Sequence, residues 1–199
     1  MHDKTFVEIG ASDGVLMSFT SWLEYNNNWR GLLLEPNPQS FDALRMRRKS
    51  AAAKTCVSPE ATVKDLLWSP NVEPELPDLF QKVARARTTL KKFVSEEDYD
   101  AGSFSPVQCF PLPWLLKAWD PSVKTIHLLV IHTMGGEMNI LETVPKNLDI
   151  IMLVIRFNTP VDRSQIESVV NDYNLIPFKE EIKPKNFLIF ISTRVVFHA

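Results

Sequence analysis

Two acidic residues and two glycines stand at positions where a sheet can bind a nucleoside. Glu8 lies in the first apolar run of the chain, and Gly10 and Gly14 bracket the turn that follows it. Glu35 closes the second apolar run. In open parallel sheets, a carboxylate at the end of the second strand accepts hydrogen bonds from ribose hydroxyls, in dinucleotide and adenosyl cofactors alike. The spacing therefore predicts a nucleoside-binding crevice.

The glycine spacing argues against a dinucleotide cofactor. The dinucleotide fingerprint is Gly-x-Gly-x-x-Gly, but Ser12 stands at the middle glycine and the third glycine is absent. Of only six glycines, Gly135 and Gly136 follow another apolar run. Parallel strands end at one edge of a sheet, and glycine lets a ligand approach the backbone. We therefore expect both turns to border the same crevice.

Composition excludes several classes of protein. The chain has 199 residues, of which 45% are hydrophobic, and a net charge of −2; this balance excludes a disordered chain and a nucleic-acid-binding polycation. The basic run 45–49 is predicted to complement a helix C-terminus rather than to bind nucleic acid. No Cys/His cluster has zinc spacing, so no metal site is predicted. Two cysteines make no disulfide framework, and Cys56 and Cys109 are predicted to be buried thiols.

Apolar runs alternate with amphipathic stretches, which predicts an α/β fold with a mostly parallel sheet. The predicted strands are 5–9, 31–35, 53–57, 107–112, 125–131, 149–157, 177–182 and 187–193, the last two forming a hairpin. The predicted helices follow Gly14 and Pro38 and then cover 113–119, 137–143 and 162–173, with Asp162 as a cap. The length of 199 residues predicts a single domain, 1–199.

The stretch from about 60 to 105 interrupts this alternation. It combines several prolines with acidic clusters and the basic run 82–92, which predicts an insertion or lid. Trp68, flanked by proline-rich sequence, is the tryptophan predicted to touch a ligand. The others are predicted to pack in the core; they are Trp22, Trp29, Trp114 and Trp119.

Several segments resemble the FkbM-like branch of the S-adenosylmethionine-dependent methyltransferases: 6-FVEIGASDG-14, 29-WRGLLLEPNPQSFDAL-44, 55-TCVSPE-60 and 107-VQCFPLPWLL-116. The Trp-Arg-Gly and Glu-Pro-Asn-Pro blocks that flank the second strand look most like the animal Star-like proteins. The similarity covers nearly the whole chain, except parts of 61–105. It implies a three-layer Rossmann-like methyltransferase fold, whose mostly parallel seven-stranded sheet ends in a C-terminal antiparallel hairpin.

The resemblance implies one site for S-adenosylmethionine. The residues implied around the methionine part of the cofactor are Glu8, Gly10, Ala11, Ser12, Asp13 and Gly14. Glu35 would hold the ribose hydroxyls. Pro36 and Asn37 would border the adenosine, and Val57 and Ser58 would lie near the adenine.

One block departs from the family pattern. The family usually shows Asp-x-Glu-Gly-Ala-Glu after the fourth strand, whereas this chain has 132-HTMGGE-137. Methyl transfer to a hydroxyl or amine needs an aligned acceptor and usually a base or metal that takes the proton. His132 and Glu137 are the candidate catalytic residues, although an imidazole cannot replace a hard-metal carboxylate. The alternative for His132 is a hydrogen-bonded polar residue at a strand end without a catalytic role. The alternative for Glu137 is an acid that interacts favourably with the dipole at the start of its helix.

Two functions follow from the resemblance. The first is an S-adenosylmethionine-dependent methyltransferase that transfers the methyl group to oxygen on a small molecule. The second is a catalytically inactive methyltransferase-like domain that serves as an interaction or trafficking module with a protein partner, as similarity to Star-like proteins would imply. The altered 132–137 block favours the second, and the intact 8–14 turn and Glu35 favour cofactor binding.

The sequence predicts neither a nucleic-acid partner nor a membrane segment, since no apolar run approaches the roughly 20 residues of a spanning helix. Strand-like sequence begins at Thr5, directly after the first few residues, as it would in a trimmed chain. The compartment is open: the cytoplasm is expected if the chain is complete, and an endomembrane lumen if an N-terminal anchor was removed.

Overall fold

A computed structural model describes residues 4–60, 64–156, 163–178 and 186–195. The strands are β1 (Thr5–Ile9), β2 (Arg30–Leu34), β3 (Ala51–Ala53), β4 (Cys56–Val57), β5 (Lys64–Pro70), β6 (Thr89–Leu90), β7 (Gly102–Phe110), β8 (Thr125–Ile126), β9 (Leu128–Ile131), β10 (Asp149–Ile150), β11 (Met152–Arg156), β12 (Leu175–Pro177) and β13 (Phe187–Ser192). The helices are α1 (Ser21–Asn27), α2 (Pro38–Arg47), α3 (Asp78–Arg85), α4 (Leu112–Trp119), α5 (Glu137–Thr143) and α6 (Arg163–Asn171).

Seven strands form the main sheet, in the order β12-β13-β11-β9-β1-β2-β3. The neighbours from β11 to β3 are parallel, whereas β13 is antiparallel to both β11 and β12. The predicted seven-stranded, mostly parallel sheet with a C-terminal antiparallel hairpin is therefore confirmed. The part of the hairpin predicted at 179–182 lies outside the described residues, as does Asp162.

The central strands are apolar on both faces because helices cover both faces of the sheet. Along β1, Phe6 packs into a core on one face with Leu33 and Val130. The next residue, Val7, packs into a second core on the opposite face with Leu129. Successive strand side chains point to opposite faces, so this alternation defines three layers.

Some element bounds differ from the predicted ones. The helix predicted after Gly14 begins only at Ser21, because the side chain of Glu8 binds Ser18, Phe19 and Thr20 and holds them in a turn. The strand predicted at 53–57 is divided between β3 and β4, which belong to different sheets. Each of the strands predicted at 125–131 and 149–157 is interrupted after two residues.

Residues 64–110 include most of the insertion or lid predicted at about 60–105 and are called the inserted segment below. They build a small sheet with β4, in the order β4-β7-β5-β6. β4 and β7 are parallel and place Cys56 opposite Cys109. Their Cα atoms lie 4.4 Å apart and their sulfurs form a disulfide. The prediction of buried thiols is therefore wrong, because long-range strand pairing brings together two cysteines that are 53 residues apart.

The tryptophans divide into buried and exposed side chains. Trp22 and Trp114 are 63% and 54% exposed, so their predicted core packing is wrong; each lies on the outer side of a helix. Trp29 and Trp119 pack against the core as predicted. Within the described parts of the chain, no helix is both long and apolar enough to cross a membrane.

Candidate functional site

A cleft opens where β1, β2 and β9 end, at the edge where open α/β sheets bind ligands. Seven of the predicted site residues line it, namely Gly10, Ser12, Glu35, Pro36, Val57, Ser58 and His132. The others lie behind this lining, namely Glu8, Ala11, Asp13, Gly14, Asn37 and Glu137.

Glu8 organises the turn from inside the protein. Its carboxylate accepts hydrogen bonds from Ser18 Oγ at 2.8 Å, from the Phe19 amide at 3.2 Å and from Thr20 Oγ1. Burial raises the pKa of Glu8, while the bonds from Thr20 and Ser18 oppose that rise. Because the turn residues already donate hydrogen bonds to this carboxylate, Glu8 supports the cleft wall from behind.

Arg48 joins the same buried cluster. Its fully buried guanidinium donates to Gly14 O at 2.8 Å and to Glu24 Oε2 at 3.0 Å, and lies 3.8 Å from Glu8 Oε2. A buried cation is tolerated when carboxylates and carbonyls surround it. The bond to Gly14 O ties the end of the glycine turn to this cluster.

Asp13 and Ala11 also shape the turn rather than the cleft. Asp13 Oδ1 accepts hydrogen bonds from the amides of Val15 and Leu16, at 3.0 and 2.7 Å, and its other oxygen pairs with Arg47. Ala11 is buried in the core, and its carbonyl accepts a bond from the Gly14 amide. These contacts fix the curvature of the loop.

Among the residues that the structure describes, Glu35 is the one acidic residue that lines the cleft. Its Oε2 accepts a hydrogen bond from the Ser12 amide at 2.7 Å, and its Oε1 accepts one from the Asn37 amide at 2.8 Å. Each oxygen keeps a second lone pair. Burial raises the pKa of Glu35 to about 7, against the opposing effect of these two bonds. The acid of the second strand and the glycine turn of the first are thus in direct contact.

Asn37 connects the sheet edge to the inserted segment. Its side-chain oxygen accepts a bond from the Ser40 amide at 3.0 Å and caps α2. Its side-chain nitrogen lies 3.1 Å from both Ser69 Oγ and Thr88 Oγ1. Asn37 therefore positions the cleft wall from behind.

Gly10 is required by a close approach of two backbones. Its φ is +81°, and a Cβ at this position would lie 1.9 Å from the carbonyl oxygen of His132. The His132 amide in turn donates to Ile9 O at 2.9 Å. Only glycine combines this backbone conformation with this contact, so the two turns predicted to border one crevice do meet.

His132 lines the cleft in a mainly apolar setting. Burial, together with the positive charge of Arg156, lowers the pKa of His132 to about 4. The imidazole is therefore neutral at physiological pH and is a weak proton acceptor. This low basicity follows from the tertiary environment, since an exposed histidine titrates near 6.5.

Glu137 holds the loop that precedes its own helix. Its carboxylate accepts bonds from the Gly135 amide, at 3.0 and 3.1 Å to its two oxygens, and lies 3.4 Å from the Thr133 amide. The side chain is buried. Its contacts are those of a residue that fixes the 132–136 loop, at the N-terminus of α5, where the helix dipole favours an acid.

The inserted segment supplies cleft residues that the sequence did not assign: Arg85, Thr88, Thr89, Lys92 and Phe93. Thr89 Oγ1 donates to Met134 O at 2.9 Å. Phe93 lies against Gly135 and Gly136, where an added Cβ would come within 2.9 and 3.3 Å of it. The prolines, acidic clusters and basic run 82–92 mark this stretch as an insertion or lid, but they do not indicate which of its residues line the cleft. Trp68, the predicted ligand contact, is instead 2% exposed and packs on Gly102, away from the cleft.

The described residues contain no group of three or more histidine, cysteine, aspartate or glutamate side chains that could hold a metal ion. What the cleft offers a ligand is a buried carboxylate, backbone groups of two glycine turns, an apolar lining and two cations from the inserted segment.

No protein-family model matches the sequence, and no curated protein matches it. The chain is similar to several solved structures, of which three follow. The methyltransferase FkbM from Methylobacillus flagellatus KT is 10% identical, with 95% of this chain and 43% of that chain covered and a TM-score of 0.55. TrmK from M. capricolum, solved with S-adenosyl-homocysteine, is 12% identical (100% and 66% covered, TM-score 0.47). A TehB-like SAM-dependent methyltransferase from Corynebacterium glutamicum ATCC 13032 Kitasato is 12% identical (96% and 82% covered, TM-score 0.43).

The similarity to the FkbM structure is the evidence for the fold. At 10% identity over 95% of the chain, it shows that the seven-stranded sheet and its helices have the Rossmann-like methyltransferase fold. The chain spans 43% of the length of that FkbM structure. These structures do not support the Star-like branch within the resemblance, and a shared fold does not by itself assign a reaction.

Proposed function

We propose that the chain binds S-adenosylmethionine in the cleft and transfers its methyl group to oxygen on a small molecule. The observation that carries the proposal is Glu35: a buried carboxylate at the end of β2, in the cleft lining, whose two oxygens are aimed by the Ser12 and Asn37 amides. A carboxylate held in this way has a free lone pair on each oxygen for a pair of ribose hydroxyls.

The rest of the lining fits the same cofactor. Val57 and Leu67 contribute apolar surface to the cleft lining, against which an adenine ring can pack. Gly10 also lines the cleft and has no side chain, so its turn offers backbone groups to a ligand. The cofactor supplies an electrophilic methyl group when bound. The chain's own residues would hold its adenosine, exclude water and place the acceptor.

The residues near the 132–137 turn bear on which acceptors can react. An imidazole whose pKa is about 4 takes little part in removing a proton from an alcohol at neutral pH. Glu137 is engaged by the amide of Gly135. The site therefore favours an acceptor oxygen that ionises by itself, such as a carboxylate or an acidic phenol, and the protein's contribution would be alignment.

Binding of the cofactor product tests the proposal directly. Calorimetric titration with S-adenosylhomocysteine is expected to give binding in the micromolar range, and Glu35→Ala is expected to weaken it tenfold or more, about 1.4 kcal/mol. Glu142→Ala is the matched control, because Glu142 is exposed and does not line the cleft. Absence of binding by the folded wild-type chain would refute the proposal.

A second function is favoured by the same turn. The low basicity of His132 and the engagement of Glu137 suit a domain that binds the cofactor and transfers nothing. Such an inactive domain would act through a protein partner, as the Star-like resemblance implies. Incubating the protein with methyl-labelled cofactor and a metabolite extract separates the two functions. Transfer that His132→Ala leaves unchanged would remove His132 from the reaction, and binding without any transfer would favour the inactive domain.

A further inference from the structure

Two basic side chains of the inserted segment line the cleft. They are Arg85, the last residue of α3, and Lys92, in the short 3-10 turn after β6. The other cations of the run 82–92 lie outside the cleft lining and have partners of their own: Asp78 for Lys82, Asp98 for Arg87, and the rings of Tyr99 and Phe104 for Lys91. The acids that follow the run, between 96 and 100, do not line the cleft either. Arg85 and Lys92 are therefore the positive charges that this segment offers to a ligand in the cleft.

No carboxylate in the described part of the chain forms an ion pair with Arg85 or Lys92. Glu35 lines the same cleft, but its two oxygens accept hydrogen bonds from backbone amides instead. The pKa of Asp78 is lowered first by its bond to Lys82 and least by the charge of Arg85, so Asp78 does not neutralise Arg85. The inserted segment therefore gives the cleft uncompensated positive charge.

The guanidinium of Arg85 has an unsatisfied donor. Its Nη2 donates to Gln81 Oε1 at 2.8 Å, whereas its buried Nε has no hydrogen-bond partner among the described residues. Buried donors are nearly always paired, so an unpaired donor in a cleft-lining side chain is stabilised when a ligand supplies an acceptor. A guanidinium presents its N–H groups as a planar fork that matches the two oxygens of a carboxylate or phosphate. Both the charge and the open donor of Arg85 thus suit an anionic group.

Lys92 lies on the side of the cleft that is formed by the 132–137 turn. Its Nζ is 5.2 Å from the centroid of the Phe93 ring, and Phe93 packs on the two glycines of that turn. Phe93 also lines the cleft. The Lys92 side chain is exposed, so its ammonium adds charge at the mouth without imposing one bonding geometry. A cation and an aromatic ring thus adjoin the turn that holds the candidate catalytic residues.

We propose that the methyl acceptor is an organic anion, and that Arg85 and Lys92 hold a carboxylate or phosphate group of it in the cleft. This role of the two cations rests on the proposed function, because it concerns the acceptor of the same reaction. The oxygen that receives the methyl group belongs to another part of the acceptor, since pairing with a guanidinium stabilises negative charge and makes an oxygen less nucleophilic. Phe93 and Ile140 supply apolar surface for the carbon skeleton that joins the two groups.

Calorimetric titration with three phenyl probes tests this role, using the full chain saturated with S-adenosylhomocysteine. The probes are benzoate, phenyl phosphate and the neutral benzyl alcohol. We expect at least one anion to bind about tenfold more tightly than benzyl alcohol, and high salt to reduce the difference. The tighter of the two anions distinguishes a carboxylate from a phosphate.

Substitution of each cation locates the anion. Arg85→Gln is expected to weaken binding of the tighter anion about tenfold, because it removes the charged fork. Lys92→Gln is expected to weaken it about threefold, because the ammonium is exposed to solvent. Lys91→Gln is the matched control, since Lys91 is the adjacent exposed cation and does not line the cleft.

Three results would overturn the proposal. The first is binding of benzyl alcohol as tight as that of both anions, or no binding of either anion by the folded wild type. The second is anion binding that Arg85→Gln and Lys92→Gln both leave unchanged; Lys92 is exposed, so its variant is expected to fold even where Arg85→Gln does not. The third is weaker binding of S-adenosylhomocysteine in place of the probes, which would assign the cations to the carboxylate of the cofactor.

Repeating the titrations without S-adenosylhomocysteine keeps the two proposals distinct. A chain that binds the anions but not the cofactor product would have the anion site without the proposed function. A chain that binds the cofactor product but neither anion would keep the proposed function and lose this acceptor class.

Discussion

Replacing Glu35 by glutamine should change how the stability of the protein depends on pH. Burial raises the pKa of Glu35 from 4.5 to about 7 in the folded state. Between these two values, the folded chain keeps a proton that the unfolded chain has released. The contribution of Glu35 to the stability of the wild type therefore falls as pH rises through this window, by about 3 kcal/mol in total at about 1.4 kcal/mol per pKa unit, most of it between pH 5 and pH 8. The lowered pKa of His132 acts in the opposite direction, and it is common to the wild type and the variant.

The Glu35→Gln variant has no titratable group at this position, so the glutamine contributes the same amount to the free energy of unfolding at every pH. We expect its free energy of unfolding, relative to the wild type, to rise by a few kcal/mol from pH 5 to pH 8 in urea denaturation. The buried Glu8 is present in both proteins and cancels in the comparison. Glu142→Gln, which changes an exposed carboxyl, should run parallel to the wild type. Parallel curves for Glu35→Gln as well would show that the raised pKa, and with it the buried carboxylate, is absent.

Three further changes probe what supports the cleft. Arg48→Leu leaves buried carboxylates uncompensated and should cost about 3–5 kcal/mol in urea denaturation, whereas the exposed Arg45→Leu on the adjoining helix should change stability by about 0.5 kcal/mol or less. Gly10→Ala, with φ at +81° and a carbonyl 1.9 Å from the new Cβ, should lower the thermal midpoint far more than Gly136→Ala, whose nearest contact is 3.3 Å; equal midpoints would contradict the close approach. Removing the β4–β7 disulfide, which spans 53 residues, should cost about 4 kcal/mol, and a reductant should then have no further effect on the midpoint.

The meeting of Glu35 with the glycine turn was predictable because both follow parallel strands, and parallel strands end at one edge of a sheet. The roles of Glu8 and Asp13 were not. Both belong to the same motif as Gly10, yet their carboxylates turn inward to bind the backbone and hydroxyls of residues 15–20. Sequence spacing places a residue on a loop, but it does not say whether the side chain faces a ligand or the protein.

Local patterns failed where the outcome depended on partners far along the chain. The pairing of Cys56 with Cys109 requires β4 and β7 to lie side by side, and Trp68 is buried because β5 packs it on Gly102. The weak basicity of His132 depends on its burial and on Arg156 from another strand. None of these contacts can be predicted from the spacing of apolar residues along the sequence.

Outside residues 60–105, the amino-acid order alone predicted most of the strands and helices, the parallel sheet and the edge at which the glycine turns gather, because apolar periodicity and glycine geometry act over a few residues. Only the tertiary structure decided which of the predicted site residues line the cleft, which residues of the inserted segment do so, and that the two cysteines are joined. Those properties depend on contacts between residues that are distant in sequence, whose free energies exist only once the chain has brought them together.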